Sequence, residues 1–448
     1  MLPGAWLLAN ITTFTLQPAV AQGLPHAGAS ALSSLHQRDT AVLSPDSLFK
    51  TCPVSLQQYL HLVSTQHLGY AAQQYNVSIA AAGIESAKVF PDPQLSLDGF
   101  DNQHRVLKLS YGYNAGISTT IELGGKRKAR TQLARSGLEL SRALLQDYFR
   151  NLRADAAIAW YNAIQQQRLY QVQQQSYVLM RQLADADVIR FQKGVITETD
   201  ARQSKLEAGN LGNNLYQQEA DWKTALAQLN INTGQARADT LLLPSGNFEH
   251  LERVFILQDL ISTAQENRAD AVAANINKVM AGKSLVLAKA NRTIDLGVNA
   301  GVGYNAEATS DIAPTPRYIA GSAGISVPLK LSNHYKGELH AAQYAVKQAV
   351  LDYEQVLLQI RTEVTQAWFN YTAATQQVKQ FENGLLADAE KVLQGKIYSY
   401  KRGETSLLEV LNAQRTWNNL QHDYYQALYS HAAALIALER AAGIWDIV

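Results

Sequence analysis

Only one cysteine, Cys52, occurs in 448 residues, which excludes both an intrachain disulfide and a cysteine-based metal site. A dominant sign of charge is also missing: 39 Lys and Arg stand against 38 Asp and Glu. Without a basic face, nucleic-acid binding has no electrostatic footing. Charge of either sign is scarce, at 17% of residues, where an average soluble domain carries about 25%. Gln, Asn, Ser and Thr supply the polarity instead. No stretch approaches the roughly 18 consecutive apolar residues of a membrane-spanning helix. A membrane can therefore be entered only as strands.

Histidine is sparse and poorly spaced for metal binding. Of ten histidines, His26, His36, His61 and His67 lie near the N-terminus, and His61 and His67 are six residues apart rather than three or four. No metal site, no cofactor and no catalytic residue is expected. Gly301-Val302-Gly303 sits inside a strand pattern with no helix after it, so it is not read as a phosphate loop. His431, Trp160 and Trp368 fit helix packing.

The N-terminus reads as an imperfect export signal over residues 1–21. Trp6-Leu7-Leu8-Ala9 opens an apolar core and Ala19-Val20-Ala21 has the small-x-small form of a cleavage site. No Lys or Arg precedes the apolar part, which leaves open an unstructured cytosolic tail. Residues 22–51 read as an irregular lead-in. Lys50, close to Cys52, argues against lipidation of that cysteine.

What the chain has in quantity is repetition. Ala159-Trp160-Tyr161-Asn162 returns as Ala367-Trp368-Phe369-Asn370, and Gly116-Ile117-Ser118 as Gly324-Ile325-Ser326, both at an offset of 208. Gly194 returns as Gly403 and Gly234 as Gly443, at an offset of 209. One residue has been inserted between the tryptophan and the second glycine. The chain reads as two units, 52–246 and 247–448. Each has a helix (about 55–88 and 256–290), two strands (within 93–123 and 293–330), a very long helix running to a tip glycine, and a long return helix.

The strands alternate with period two. From Leu107 to Leu123 the odd positions are mostly apolar and the even ones are Lys, Ser, Gly, Asn, Thr and Glu. Ile294–Tyr304 and Ile319–Leu329 alternate likewise, and Leu95 and Leu97 follow Pro91-Asp92-Pro93. Small polar residues on one face suit a wet barrel lumen. Four strands close no barrel, and an open edge in lipid costs several kcal/mol per unpaired group. A membrane reading therefore requires several copies of the chain. The helices carry heptads: Val346, Val350, Tyr353, Leu357, Ile360, Val364, Ala367, Tyr371, Ala374, Val378, Phe381, Leu385, Asp388 and Val392 keep 4-3 spacing, broken in character only by Asp388. Leu145, Phe149, Leu152, Ala156, Ala159 and Ala163 do so in the first unit, where Gln166 and Gln173 intrude later. Gly124-Gly125-Lys126-Arg127-Lys128 reads as a strand-to-helix corner with its cations facing solvent or lipid headgroups.

This duplicated order resembles the TolC-like outer-membrane efflux proteins, over about residues 52–446. The resemblance is carried by SLQQYL (55–60), Pro91-Asp92-Pro93, GISTTIELGGKRKAR (116–130), GISVPLKL (324–331), the two Ala-Trp-aromatic-Asn motifs and the two tip segments. It implies a mainly α fold with a membrane β-barrel: a homotrimer with four strands per chain in a shared twelve-stranded barrel, and coiled-coil helices forming a periplasmic α-barrel. It further implies an exit duct in the outer-membrane lipid, served by a periplasmic adaptor and an inner-membrane pump, without chemistry of its own.

Gly194 and Gly403 would mark the hairpin tips and the adaptor-docking end. Counted from those glycines, the resemblance assigns entrance-gate roles to Thr199, Asp200, Tyr400, Thr405, Glu409 and Asn412. Tyr400 is expected to bond Asp200, and three copies of Glu409 to ring the axis. Thr405 replaces an arginine of the family pattern and Asn412 an aspartate. The IELGGKRKAR corner resembles members paired with heavy-metal cation pumps. The competing reading from the residues alone is a soluble or peripheral coiled-coil scaffold with an ordinary sheet.

Overall fold

The structure, a computed structural model, describes residues 50–103, 108–234, 240–249, 251–329 and 333–446. The export signal and almost all of the lead-in, with His26 and His36, lie outside the described residues, as does Leu107. The first repeat runs β1 (Lys50–Val54), α1 (Leu56–Gln66), α2 (Leu68–Lys88), β2 (Gln94–Asp101), β3 (Tyr111–Ile121), α3 (Lys126–Gln192), α4 (Glu198–Asn232) and β4 (Thr240–Pro244). The second runs α5 (Leu257–Asn267), α6 (Ala269–Asn291), β5 (Leu296–Asn305), β6 (Tyr318–Ser326), α7 (Lys336–Gln380), α8 (Leu386–Lys401) and α9 (Leu407–Ala442). The expected order is present. The predicted strand ends at Ile294 and Leu329 fall outside β5 and β6.

Where one long helix is expected at the start of each repeat, there are two. His67 (ψ 117°) and Arg268 (ψ 136°) take extended backbone and break the helix in one residue. His67 serves both ends, its N–H donating to the Val63 carbonyl and its Nδ1 accepting from the Tyr70 N–H at 3.0 Å. Arg268 is buried; its guanidinium pairs with Asp270 and Glu363 and donates to the Ala441 carbonyl at 2.9 Å. Each break packs on the glycine that ends a return helix. A Cβ at Gly234 would come within 2.5 Å of the Gln66 carbonyl oxygen, and one at Gly443 within 2.9 Å of Arg268. A short parallel pair, β1 with β4, joins the two ends of the first repeat. Around these breaks lies the main apolar core, with Tyr59, Val63, Trp160, Ile164, Leu229, Leu435, Ile436 and Leu438. Trp160, Trp368 and His431 are packing residues in it or beside it; His431 stacks on Tyr371 with ring centroids 5.3 Å apart.

The other sheet is antiparallel, in the order β2-β3-β5-β6. Its register puts like with like. Leu95 lies opposite Ile117, Ile117 opposite Ala300, Tyr113 opposite Tyr304 and Tyr304 opposite Ile319. The other face carries Ser96, Asn114, Gly116, Ser118, Asn299, Gly301 and Ser322, two of which meet as Gly116 opposite Gly301. Leu95, Leu97, Ile117, Val302, Ile319 and Ile325 are all exposed on the apolar face. Among the described residues the outer edges of β2 and β6 have no strand partner.

The corner from β3 into α3 corrects the sequence expectation. Gly124 and Gly125 have φ of +73° and +72°, and a Cβ at Gly124 would strike Thr293 at 2.3 Å. The turn sends the first of the following cations inward, while Arg127 and Lys128 stay exposed as expected. Lys126 is buried and pairs with Asp295 at 2.6 Å, and Arg127 lies 3.9 Å over the Phe90 ring.

Helix α3 has 67 residues, so at 1.5 Å per residue it is about 100 Å long. Its counterpart is not continuous. Between α7 and α8, Phe381–Leu385 forms a π-turn in which Gly384 has φ +100°. A π-turn holds one more residue than an α-turn, and this one lies in the interval where the repeat offset grows from 208 to 209. It also moves the apolar seam. Val378 is buried, but Leu385, Asp388 and Val392 are exposed, and the buried positions become Leu393 and Tyr400. The expected run of heptads through Val392 is therefore displaced by one residue beyond Phe381. Asp388 does not interrupt the seam, because it is no longer on it. In the first unit the intruding glutamines are satisfied across the α3–α4 pair: Gln218 donates to Gln166 at 2.7 Å, and Gln173 to the Leu211 carbonyl at 3.1 Å.

Candidate entrance at the hairpin tips

Both tips close in the same way. The Gly194 N–H donates to the Phe191 carbonyl and the Val195 N–H to the Arg190 carbonyl, each at 2.9 Å. At the second tip the Gly403 and Glu404 N–H groups donate to the Tyr400 and Ser399 carbonyls at 3.0 and 2.9 Å. This is the paired bonding that ends a helix on a left-handed residue. Gly194 and Gly403 have φ of +71° and +80°, with open space around each, so backbone conformation alone demands glycine there.

The return helices start differently. Thr197 caps α4: its Oγ1 accepts from the Asp200 N–H at 3.1 Å and donates to the Asp200 carboxylate at 2.8 Å. Thr199 beside it is exposed. Ser406 begins α9 with no side-chain cap. The Thr405 hydroxyl is buried close to the Glu409 carboxylate, and Asn412 is exposed.

Tyr400 is buried, and its hydroxyl donates to Asp187 Oδ1 at 2.9 Å. The expected bond to Asp200 is not formed within the chain, because the displaced seam points Tyr400 at α3, and Asp200 is occupied by its own cap. Arg190 completes the group: it lies 3.4 Å from Asp187, donates to the Tyr400 carbonyl at 3.2 Å, and sits 4.6 Å over the Tyr400 ring. Asp187 is fully buried, and its Oδ2 has no hydrogen-bond partner among the described residues. Burial pushes its carboxyl above the usual range. A small apolar core of Met180, Ala184, Leu211, Leu407, Val410 and Leu411 surrounds this group. A cavity of about 160 Å³ adjoins it between α3, α8 and α9. The sequence carried a signal for Asp187: Met180, Ala184 and Asp187 keep 4-3 spacing, so an acid there had to be buried.

Glu409 is half-exposed and reaches Lys396 across the α8–α9 hairpin. That ammonium holds its carboxyl below the usual range. Further up the hairpins, Arg415 pairs with Glu207 at 2.9 Å and ties α9 to α4. No group of three or more His, Cys, Asp or Glu suited to a metal ion occurs among the described residues.

Residues 260–444 match the family profile described as "Outer membrane efflux protein". The cobalt-zinc-cadmium resistance protein CzcC of Cupriavidus metallidurans is 23% identical over 392 residues, covering 87% of this chain and 90% of that protein. This chain is similar to the outer membrane efflux proteins, TolC among them. The pyoverdine export outer membrane protein OpmQ of Pseudomonas putida is 24% identical over 406 residues, covering 85% of this chain and 83% of the relative. Among solved structures, CusC superposes with a TM-score of 0.71 at 16% identity, covering 87% of this chain and 92% of that one. Such efflux relatives are transport proteins rather than enzymes. No helix among the described residues is long and apolar enough to cross a membrane.

Proposed function

We propose that the protein is the trimeric outer-membrane exit duct of a tripartite export system. It would receive cargo from an inner-membrane pump through a periplasmic adaptor docked on the hairpin tips. One observation carries this reading: a four-stranded sheet with two unpaired edges and an exposed apolar face, continuous with helices about 100 Å long. Its strands have 8, 11, 10 and 9 residues, close to the roughly 9–11 that span a bilayer as a tilted strand. Both open edges must be paired in lipid. Three copies pair them and close twelve strands around the Ser, Asn and Gly face. A water-soluble scaffold would leave Leu95, Leu97, Ile319 and Ile325 against water.

Thr199, Asp200, Tyr400, Thr405, Glu409 and Asn412 lie at or near the tips and are proposed to line or control the entrance. Asp187 and Arg190 would act with them. Heavy-metal cations or small organic compounds are the proposed cargo, the two kinds named in the relatives, with selection made by the pump. The test is fractionation of the full chain followed by its mass in mild detergent. Three copies per particle in the outer-membrane fraction are expected. A monomer, or extraction without detergent, refutes the reading.

A further inference from the structure

The repeat offset of 209 matches the tips residue by residue. Asp200 corresponds to Glu409, Thr197 to Ser406, and the buried Asp187 to Lys396. The acid at the start of the return helix is thus kept in both repeats, but its surroundings are inverted. In the first, the Asp200 carboxylate is held by Thr197 at 2.8 Å. In the second, the serine makes no cap, and the place of the buried acid is taken by a lysine. Lys396 is seven residues before Gly403 and Glu409 six after it, so the two sit level across the hairpin. Their side chains are 42% and 48% exposed and in direct contact. The other charges nearby are also largely matched: Arg402 pairs with Glu404 at 3.1 Å, and Arg202 with Glu198 at 2.5 Å.

Resting on the duct reading, we propose that Lys396 is a specificity-determining residue of the entrance. Each Glu409 brought to the axis arrives with a lysine of its own protomer, so the ring of three carboxylates adds no net charge. The entrance therefore does not hold multivalent cations. A duct that passes cations gains from this, because conduction requires sites weak enough to leave. An exposed ion pair contributes little stability, so the lysine's effect is on the local potential rather than on folding.

The experiment is single-channel conductance of the full chain in planar bilayers, with lanthanum(III) added at the tip side. The wild-type channel should be blocked only weakly. Lys396→Ala removes the positive charge beside each Glu409, three in a trimer, and should lower the half-blocking concentration roughly tenfold or more. Lys396→Arg should leave block unchanged, and Lys396→Ala with Glu409→Gln should restore wild-type behaviour. Unchanged block in Lys396→Ala overturns the proposal, as does tight block of the wild type that Glu409→Gln relieves. If channels form and conduct but these results fail, only the lysine assignment falls. If the chain inserts no channel at all, the duct reading falls and takes the proposal with it.

Discussion

Replacing Tyr400 by Phe isolates one bond at the hairpin tips. The ring stays, with its packing against the small core and its contact with Arg190 at 4.6 Å. Only the hydroxyl that donates to Asp187 at 2.9 Å is lost. Asp187 already has one oxygen without a hydrogen-bond partner among the described residues, and its side chain is buried. A buried bond to a neutral group contributes about 0.5–1.5 kcal/mol and one to a charged group about 1.5–3. Because burial favours the neutral acid, a loss of about 1–2 kcal/mol is expected, or roughly a five- to thirtyfold rise in local opening. Global unfolding of a large assembly is a poor readout for this, since it need not be two-state. Amide hydrogen exchange is the better assay, because it reports opening segment by segment. Protection over residues 391–410 should fall by that factor, while amides at Leu435–Leu438 in the main core should not change. Unaltered protection at the tip would refute the claim that this bond holds the two hairpins together.

The same group predicts a pH dependence. In the closed tip the Asp187 carboxyl lies above its ordinary value, so closure binds a proton that the opened, solvated acid releases. Closure is then strongest below the ordinary carboxylate value and weakens as pH rises through the raised one. Arg190, Tyr400 and Ser204 interact with Asp187, Lys401, Gln182 and Gln414 line the adjoining cavity, and Asp187→Asn should flatten the profile, corrected for intrinsic exchange. Gly403→Ala must force φ of +80° on a residue with a Cβ, which should weaken the tip by about 1–2 kcal/mol and appear in the same exchange data. Gly234→Ala should fail to fold instead, because its Cβ would meet the Gln66 carbonyl oxygen at 2.5 Å. Deleting Asn383 should convert the π-turn to a regular α-turn and leave the assembled mass and melting temperature nearly unchanged. Deleting Gln174 from the continuous α3 rotates everything beyond it by about 100° and should abolish assembly.

Most of the scaffold was legible because its signals are periodic. Alternation identified β3, β5 and β6, and the register confirms one apolar and one small polar face across all four strands. Heptads identified the long helices, and glycines at a fixed offset located the tips. What escaped was of two kinds. The β1–β4 pair and the breaks at His67 and Arg268 depend on contacts between distant segments, and neither residue is a helix breaker by type. Arg268 adopts extended backbone because Asp270, Glu363 and the end of α9 hold its side chain. The second kind was numerical and was recoverable. The offset already contained one inserted residue, but the heptad run was carried past it as if the helix were regular. That single residue decides which side chains meet at the tips. With a regular helix, Val392 would be on the seam; with the π-turn, Leu393 and Tyr400 are, and Tyr400 reaches Asp187 rather than Asp200. The tip chemistry of the second hairpin therefore follows from a change of one residue in spacing some twenty residues before the tip, where no tip residue is found.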